Sequence, residues 1–118
     1  MMLLTKAIEK KIPGMRGQRN QEDPVAYVKI FDPSGRYTFY GTEYSKTERE
    51  FYGFCISALG PDCSEWGYSS LTEMEGVKNR FGLGLERDLH FEPKPMSQAL
   101  KERGYIDELR RFFPEVEA

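Results

Sequence analysis

The chain contains a single histidine, two cysteines and one tryptophan, and no apolar run nears the roughly 20 residues that a membrane helix requires. Each shortage removes a class of protein. Structural zinc draws on paired Cys or His at short spacing, and His90, Cys55 and Cys63 provide no such pair, so neither a metal nor a cofactor is expected. The cysteines form no C-x-x-C motif, and one disulfide would not define a secreted scaffold; reduced thiols in the cytosol are the expectation. The opening "MMLLTKAIEKK" lacks the cleavage site of a signal peptide, which again predicts a cytoplasmic protein without a membrane partner. "GLG" at 82–84 is neither a dinucleotide fingerprint nor a Walker motif.

A basic excess is also missing. Net charge is −2 with a pI near 5.5, whereas a non-specific DNA binder neutralises phosphates with surplus Lys and Arg. The charge is uneven: residues 1–24 carry five basic against three acidic side chains, and residues 61–92 carry three against seven.

Aromatic residues are what the chain does have, at 14% of 118 residues, within a hydrophobic fraction of 39%. This predicts one folded domain over residues 1–118 whose core is built largely from rings. Thr5 caps a short helix, "KAIEKKI", ended by Pro13 and Gly14. The polar, glycine-rich stretch from Gly14 to Pro24 reads as a mobile loop. "VAYVKIF" (25–31) and "RYTFYGTEY" (36–44) then read as strands joined by a type I turn at "DPSG". "EFYGFCISAL" (50–59) and "EWGYSSL" (65–71) follow as a third and fourth strand. Ser70 with Glu73 forms a capping box for a middle helix that Gly76 and Gly82 keep short. "GLGLERDLHFEP" returns to extended chain. Ser97 caps "QALKER", Gly104 ends it, and Tyr105, Ile106, Leu109, Phe112 and Phe113 stripe a C-terminal helix over residues 105–118 that Pro114 interrupts. The expected fold is α+β: an antiparallel four- to five-stranded meander packed with short N-terminal, middle and C-terminal helices.

Alternation assigns faces. Ala26, Val28 and Ile30, then Tyr37 and Phe39, Tyr52, Phe54 and Ile56, and Trp66 and Tyr68 are expected to form the core beneath the helices. Tyr27, Phe31, Tyr40, Tyr44, Phe51 and Cys55, with Lys29, Thr38 and Thr42, form the opposite face, which is too aromatic to be merely solvated. Either the C-terminal stripe covers that face or the face recognises something.

The blocks "LLTKAIEKKIP", "DPVAYVKIFDPSGRYTFYGTEY", "FYGFCIS", "EWGYSSLTEMEGV" and "GLGLERDLHFEPKPMS" resemble, in order, the family catalogued as domain of unknown function 2958, from residue 3 to about residue 100. The tail beyond roughly Gly104 is outside the resemblance. That family usually carries tryptophan near Tyr37 or Phe39, and Glu-Leu-Gly-Tyr where this chain has Glu65-Trp66-Gly67-Tyr68. The resemblance implies a small cytosolic accessory protein of plasmids, integrative elements or phage, in an anti-restriction or anti-defence setting. It carries over no catalytic residue.

Candidate chemistry is sparse. Asp88, His90 and Glu92 share one side of "RDLHFEP" if that segment is a strand, with Leu89 and Phe91 packing inward and Pro93 and Pro95 closing the edge against further pairing. A Glu43–Glu65 carboxylate pair would suit acid–base work if the fold brought the two together. A Cys55–His90 nucleophilic pair is not expected, because Cys55 lies within an aromatic run. The candidate binding residues are therefore Tyr27, Lys29, Thr38, Tyr40, Glu43, Glu65, Trp66, Tyr68, Asp88 and His90. The favoured reading is a non-enzymatic protein-binding module whose partner is another protein or a second copy. The alternatives are a single-stranded nucleic-acid module using Tyr27, Lys29 and Tyr40, which the acidic pI disfavours, and a small enzyme with a Glu/His site.

Overall fold

A computed structural model describes residues 1–116. Helix α1 (Lys6–Lys11) begins where the Thr5 hydroxyl accepts from the Ile8 amide at 3.2 Å. Strands β1 (Val25–Ala26), β2 (Val28–Phe31), β3 (Thr38–Ser45), β4 (Glu50–Ile56) and β5 (Glu65–Ser70) follow, then α2 (Leu71–Gly76), β6 (Glu86–Arg87), β7 (Lys94–Pro95), α3 (Met96–Glu102) and α4 (Ile106–Phe112). Ser70 caps α2, accepting from the Glu73 amide at 3.2 Å. Gly104 takes the left-handed conformation (φ 73°) that ends α3. The C-terminal helix ends at Phe112, with Pro114 in the following turn; of the expected span, residues 117 and 118 lie outside the described residues.

The main sheet has five antiparallel strands in the order β5-β4-β3-β2-β6, and β1 pairs with β7 in a separate ribbon. This is the α+β meander that the turn spacing implied, with β6 returning beside β2. Helices cover both faces. On one face Val28, Ile30, Phe39, Tyr44 and Phe51 are buried against Leu3, Ile12, Leu71 and Met74, which come from the N-terminal segment and α2. On the other, Tyr40, Phe54 and Ile56 are buried against Met96, Ala99 and Leu100 of α3 and Leu109 and Phe113 around α4. The Phe54 and Phe112 rings meet edge-on at 4.8 Å between centroids.

Three corrections follow from the pairing register. Alternation within a strand is right, but the rows combine differently across strands: Ile30 pairs with Phe39 and Phe39 with Cys55, so the Val28–Ile30–Phe39 row continues into Phe51 and Cys55. Tyr52, Phe54, Ile56, Trp66 and Tyr68 share the other face with Lys29, Thr38 and Tyr40. Period-two patterning fixes which residues of one strand go together; only register says which neighbouring row joins them. Second, the chain breaks stride at Tyr27, so Ala26 and Val28 are buried in opposite cores. Third, a β-bulge between Gly41 and Glu43 reverses the alternation halfway along β3. Tyr44 therefore packs on Phe51, with ring centroids 4.8 Å apart, on the opposite side from Tyr40.

The strand expected over "RDLHFEP" is also absent beyond Arg87. The Asp88 carboxylate accepts from the His90 amide at 2.9 Å, a local turn that the short acidic side chain favours over extension. Leu89 and His90 are exposed, while Phe91 turns inward onto Tyr40. Pro95 does not end pairing; it lies opposite Val25 in the ribbon. Ser97 is not the cap of α3 but sits within it, its amide donating to Asp23 at 2.9 Å.

Helix α4 is fastened by Glu108, which is buried. Its carboxylate accepts from Arg36 Nη2 at 2.7 Å and from the Ser64 hydroxyl at 2.8 Å. Burial opposes ionisation of Glu108, but these bonds outweigh it and hold its pKa below the ordinary carboxylate value. Its ionised form thus contributes stability that is complete above the unfolded value of about 4.3 and is lost as pH falls through the lower folded value. In urea titrations between about pH 3 and pH 7, the stability gap between wild type and Glu108→Gln is expected to be widest near neutrality and to close at the acid end.

Glycine is required at the sheet's tightest point. A Cβ on Gly53 would overlap the Tyr40 carbonyl oxygen and press on the Cα of Gly41. Since both neighbours are backbone, Gly53→Ala is expected to cost on the order of 3 kcal/mol in unfolding free energy, measured by chemical denaturation.

Candidate functional site

The bulge in β3 turns Glu43 toward the face shared with Tyr52, instead of toward Phe51. There the side chain is 1% exposed and needs donors. They come from the loop before β1. Arg16, in a left-handed conformation (φ 70°), donates its amide to Glu43 Oε1 at 2.6 Å, and the Gln18 amide donates to Oε2 at 3.2 Å. Arg19 completes the set with Nη2 to Oε1 at 2.9 Å and Nε to Oε2 at 3.4 Å, a two-pronged grip. Each carboxylate oxygen thus accepts two bonds, so the lone-pair sites of Glu43 are fully engaged.

The loop holds its shape through Gln18, which is buried. Its amide nitrogen donates to the carbonyls of Val25 at 2.9 Å and Thr42 at 2.8 Å, and its oxygen accepts from the Val25 amide at 2.7 Å. One side chain therefore ties the loop to the start of β1 and to the bulge. The stretch read as a mobile loop is stitched to the sheet by side chains that carry no periodicity, which is why pattern alone misses it.

Arg19 lies 3.7 Å above the centroid of the Tyr52 ring, and its Nη1 donates to the Tyr68 hydroxyl at 3.2 Å. The Glu43 hydrogen bond pushes its pKa further up, so this guanidinium is permanently charged. Tyr52 stacks parallel to Trp66 at 6.1 Å and meets Tyr68 edge-on at 5.1 Å. Trp66 is half-buried and Tyr68 is 54% exposed, on a strand whose outer side pairs with no other strand among the described residues. Between this aromatic wall and the loop is a crevice of about 170 Å³ lined by Gln21, Glu22, Pro24 and Thr42 as well as Arg19, Glu43, Tyr52 and Trp66. Its charged groups are one Arg and two Glu, so it is net negative.

The other candidates from the sequence are scattered. Glu65 is exposed and opposite Cys55, on the reverse face from Glu43, so the two carboxylates do not form a pair. Lys29, Thr38 and Tyr40 are buried beneath α3 and α4, and Tyr27 packs against the opposite core. Asp88 lies 3.5 Å from the Lys29 ammonium, and His90 is exposed beside it in sequence without sharing the crevice. Burial, and then Glu65, raises the Cys55 thiol pKa, which keeps it unreactive. Among the described residues no three His, Cys, Asp or Glu side chains are grouped to hold a metal ion, and no helix is long and apolar enough to cross a membrane. Of the predicted residues, the fold gathers Glu43, Trp66 and Tyr68; Arg19, Gln18 and Tyr52 were not among them. The one hint in the sequence is a glutamate within an aromatic strand, a charge that needs donors from elsewhere in the chain, but nothing in it says that the polar loop supplies them.

A family model described as "Protein of unknown function (DUF2958)" matches residues 3–105, and the chain belongs to that family. No curated protein and no solved structure matches it.

Removing Glu43 strands Arg19 and two loop amides, whereas removing Arg19 leaves Glu43 with its backbone donors. Glu43→Ala is expected to destabilise by about 3 kcal/mol or more, and Arg19→Leu by about half that or less. Chemical denaturation of the two single variants and the double variant measures the coupling.

Proposed function

We propose that the protein is a non-enzymatic protein-binding module and that the crevice beside Trp66 receives a basic side chain of its partner. The observation that carries this reading is the open aromatic wall of Tyr52, Trp66 and Tyr68, braced by Arg19 and Glu43 and bordered by Glu22. Tyr, Trp and Arg dominate binding hot spots because they present large area with little entropy to lose. A Lys or Arg from a partner gains both cation–π contact with the exposed rings and charge complementarity with the net-negative crevice. Glu43 is unsuited to act as a general base, since every lone-pair site is taken. Base stacking on Tyr40 is unsupported, since helices cover that ring. A cytosolic accessory role on a mobile element or phage, in an anti-restriction setting, fits a protein that acts by contact alone.

The test is quantitative affinity capture from a bacterial host with wild type, Tyr68→Ala and Glu22→Lys. The expected outcome is a partner whose retention falls about tenfold or more in both variants, and whose own binding drops when its contacting Lys or Arg is replaced. Self-association lost in the same variants would assign the crevice to a second copy instead. Capture indifferent to both substitutions overturns the reading.

A further inference from the structure

A second cavity, of about 310 Å³, opens at the opposite end of the same sheet face, lined by Lys29, Arg36, Thr38, Asp88, Arg103 and Tyr105. It shares no lining residue with the crevice beside Trp66. Three cations face one carboxylate here. Glu108 occupies Arg36 from behind, which leaves Lys29 and Arg103 against Asp88.

The Lys29 side chain is only 10% exposed, and its nearest anion is Asp88 Oδ2 at 3.5 Å. That is longer than the roughly 2.7–2.9 Å of a charge-assisted hydrogen bond. The ammonium is not fully buried, and its three donors have no acceptor within that range, so it is free to take an anion that enters the cavity. Two hydroxyls stand alongside: Thr38 Oγ1 donates to the Arg36 carbonyl at 3.3 Å, and the Tyr105 hydroxyl, 3.3 Å from Thr38 Oγ1, can turn its proton outward. Tyr40 is the cross-strand partner of Lys29, and its hydroxyl is buried without a hydrogen-bond partner among the described residues. Phe31 adds an apolar wall beside Lys29, the ammonium sitting 5.7 Å from the ring centroid.

We propose that this cavity binds a phosphate group. Its donors come from different elements: Lys29 from β2, Arg103 from the end of α3 and Tyr105 from the start of α4. That arrangement suits a tetrahedral oxyanion better than a planar carboxylate, with Lys29 as a point charge and Arg103 as a fork. The volume is at the small end of the range for small-molecule sites, about 300–1,000 Å³, and the aromatic wall suits a phosphate carried on a small organic body.

Isothermal titration of the full chain with inorganic phosphate and with a nucleoside monophosphate, each against chloride at matched ionic strength, tests the site. Wild type is expected to bind at least one of them saturably, and Arg103→Ala and Lys29→Met to bind about tenfold more weakly or worse. Arg103 is exposed, so its variant decides the matter even if Lys29→Met fails to fold. Tyr68→Ala is expected to bind as wild type does, which separates this site from the partner crevice. Tighter binding of the nucleotide indicates a carried phosphate, and equal binding the free ion. No saturable binding by wild type, or undiminished binding by Arg103→Ala, overturns the proposal.

Discussion

A carboxylate removed from water organises this molecule. Glu43 is 1% exposed in the middle of a sheet, and an unpartnered charge there would be prohibitively costly. Its four acceptor sites recruit two loop amides and the guanidinium of Arg19, and Arg19 in turn lies on Tyr52 and reaches Tyr68. One ionised group thereby fixes the path of a polar loop and the pose of an aromatic wall on two neighbouring strands. The surface that remains open is rigid because its support is buried.

The sheet needs that support because neither face is spare. Rings on both sides are covered, one face by the N-terminal segment and α2, the other by α3 and α4. The C-terminal stripe docks onto its own sheet, with Leu109 and Phe113 buried, and the large apolar side chains left exposed lie at the margins: Met1 and Met2 at the N-terminus, Leu59 in the turn after β4, Tyr68 on an edge strand, Val77, Phe81 and Leu83 around the turn before β6, and Leu89 in the turn after it. Recognition in a three-layer arrangement of this kind is confined to rims and to the junctions between helices and sheet. The crevice beside Trp66 and the cavity at Lys29 both lie there.

Much of the fold was legible in the sequence. Strand positions, the caps at Thr5 and Ser70, the stop at Gly104 and the meander order all come from local chemistry acting over a few residues. What escaped depends on distance. The pairing of Phe39 with Cys55 and the bulge before Glu43 are set by how two strands meet, and no single strand encodes that. The Asp88–His90 turn was missed for a different reason: alternating charge and apolar character imitates a strand, while an aspartate offers the backbone a closer partner. At the site, Glu43, Trp66 and Tyr68 stood out as polar or aromatic residues in strands. Gln18 and Arg19 did not, because a loop residue shows its purpose only once its acceptor is placed.

The bulge before Glu43 sets how β3 responds to a change in its length. Downstream of it, odd-numbered positions of β3 point where even-numbered ones point upstream. Straightening the kink with Thr42 retained would send Tyr44 into the crevice layer and Glu43 into hydrocarbon, whereas loss of Thr42 would straighten the strand and leave both on their present sides. A residue gained at the kink would swap the two sides unless it too were bulged out.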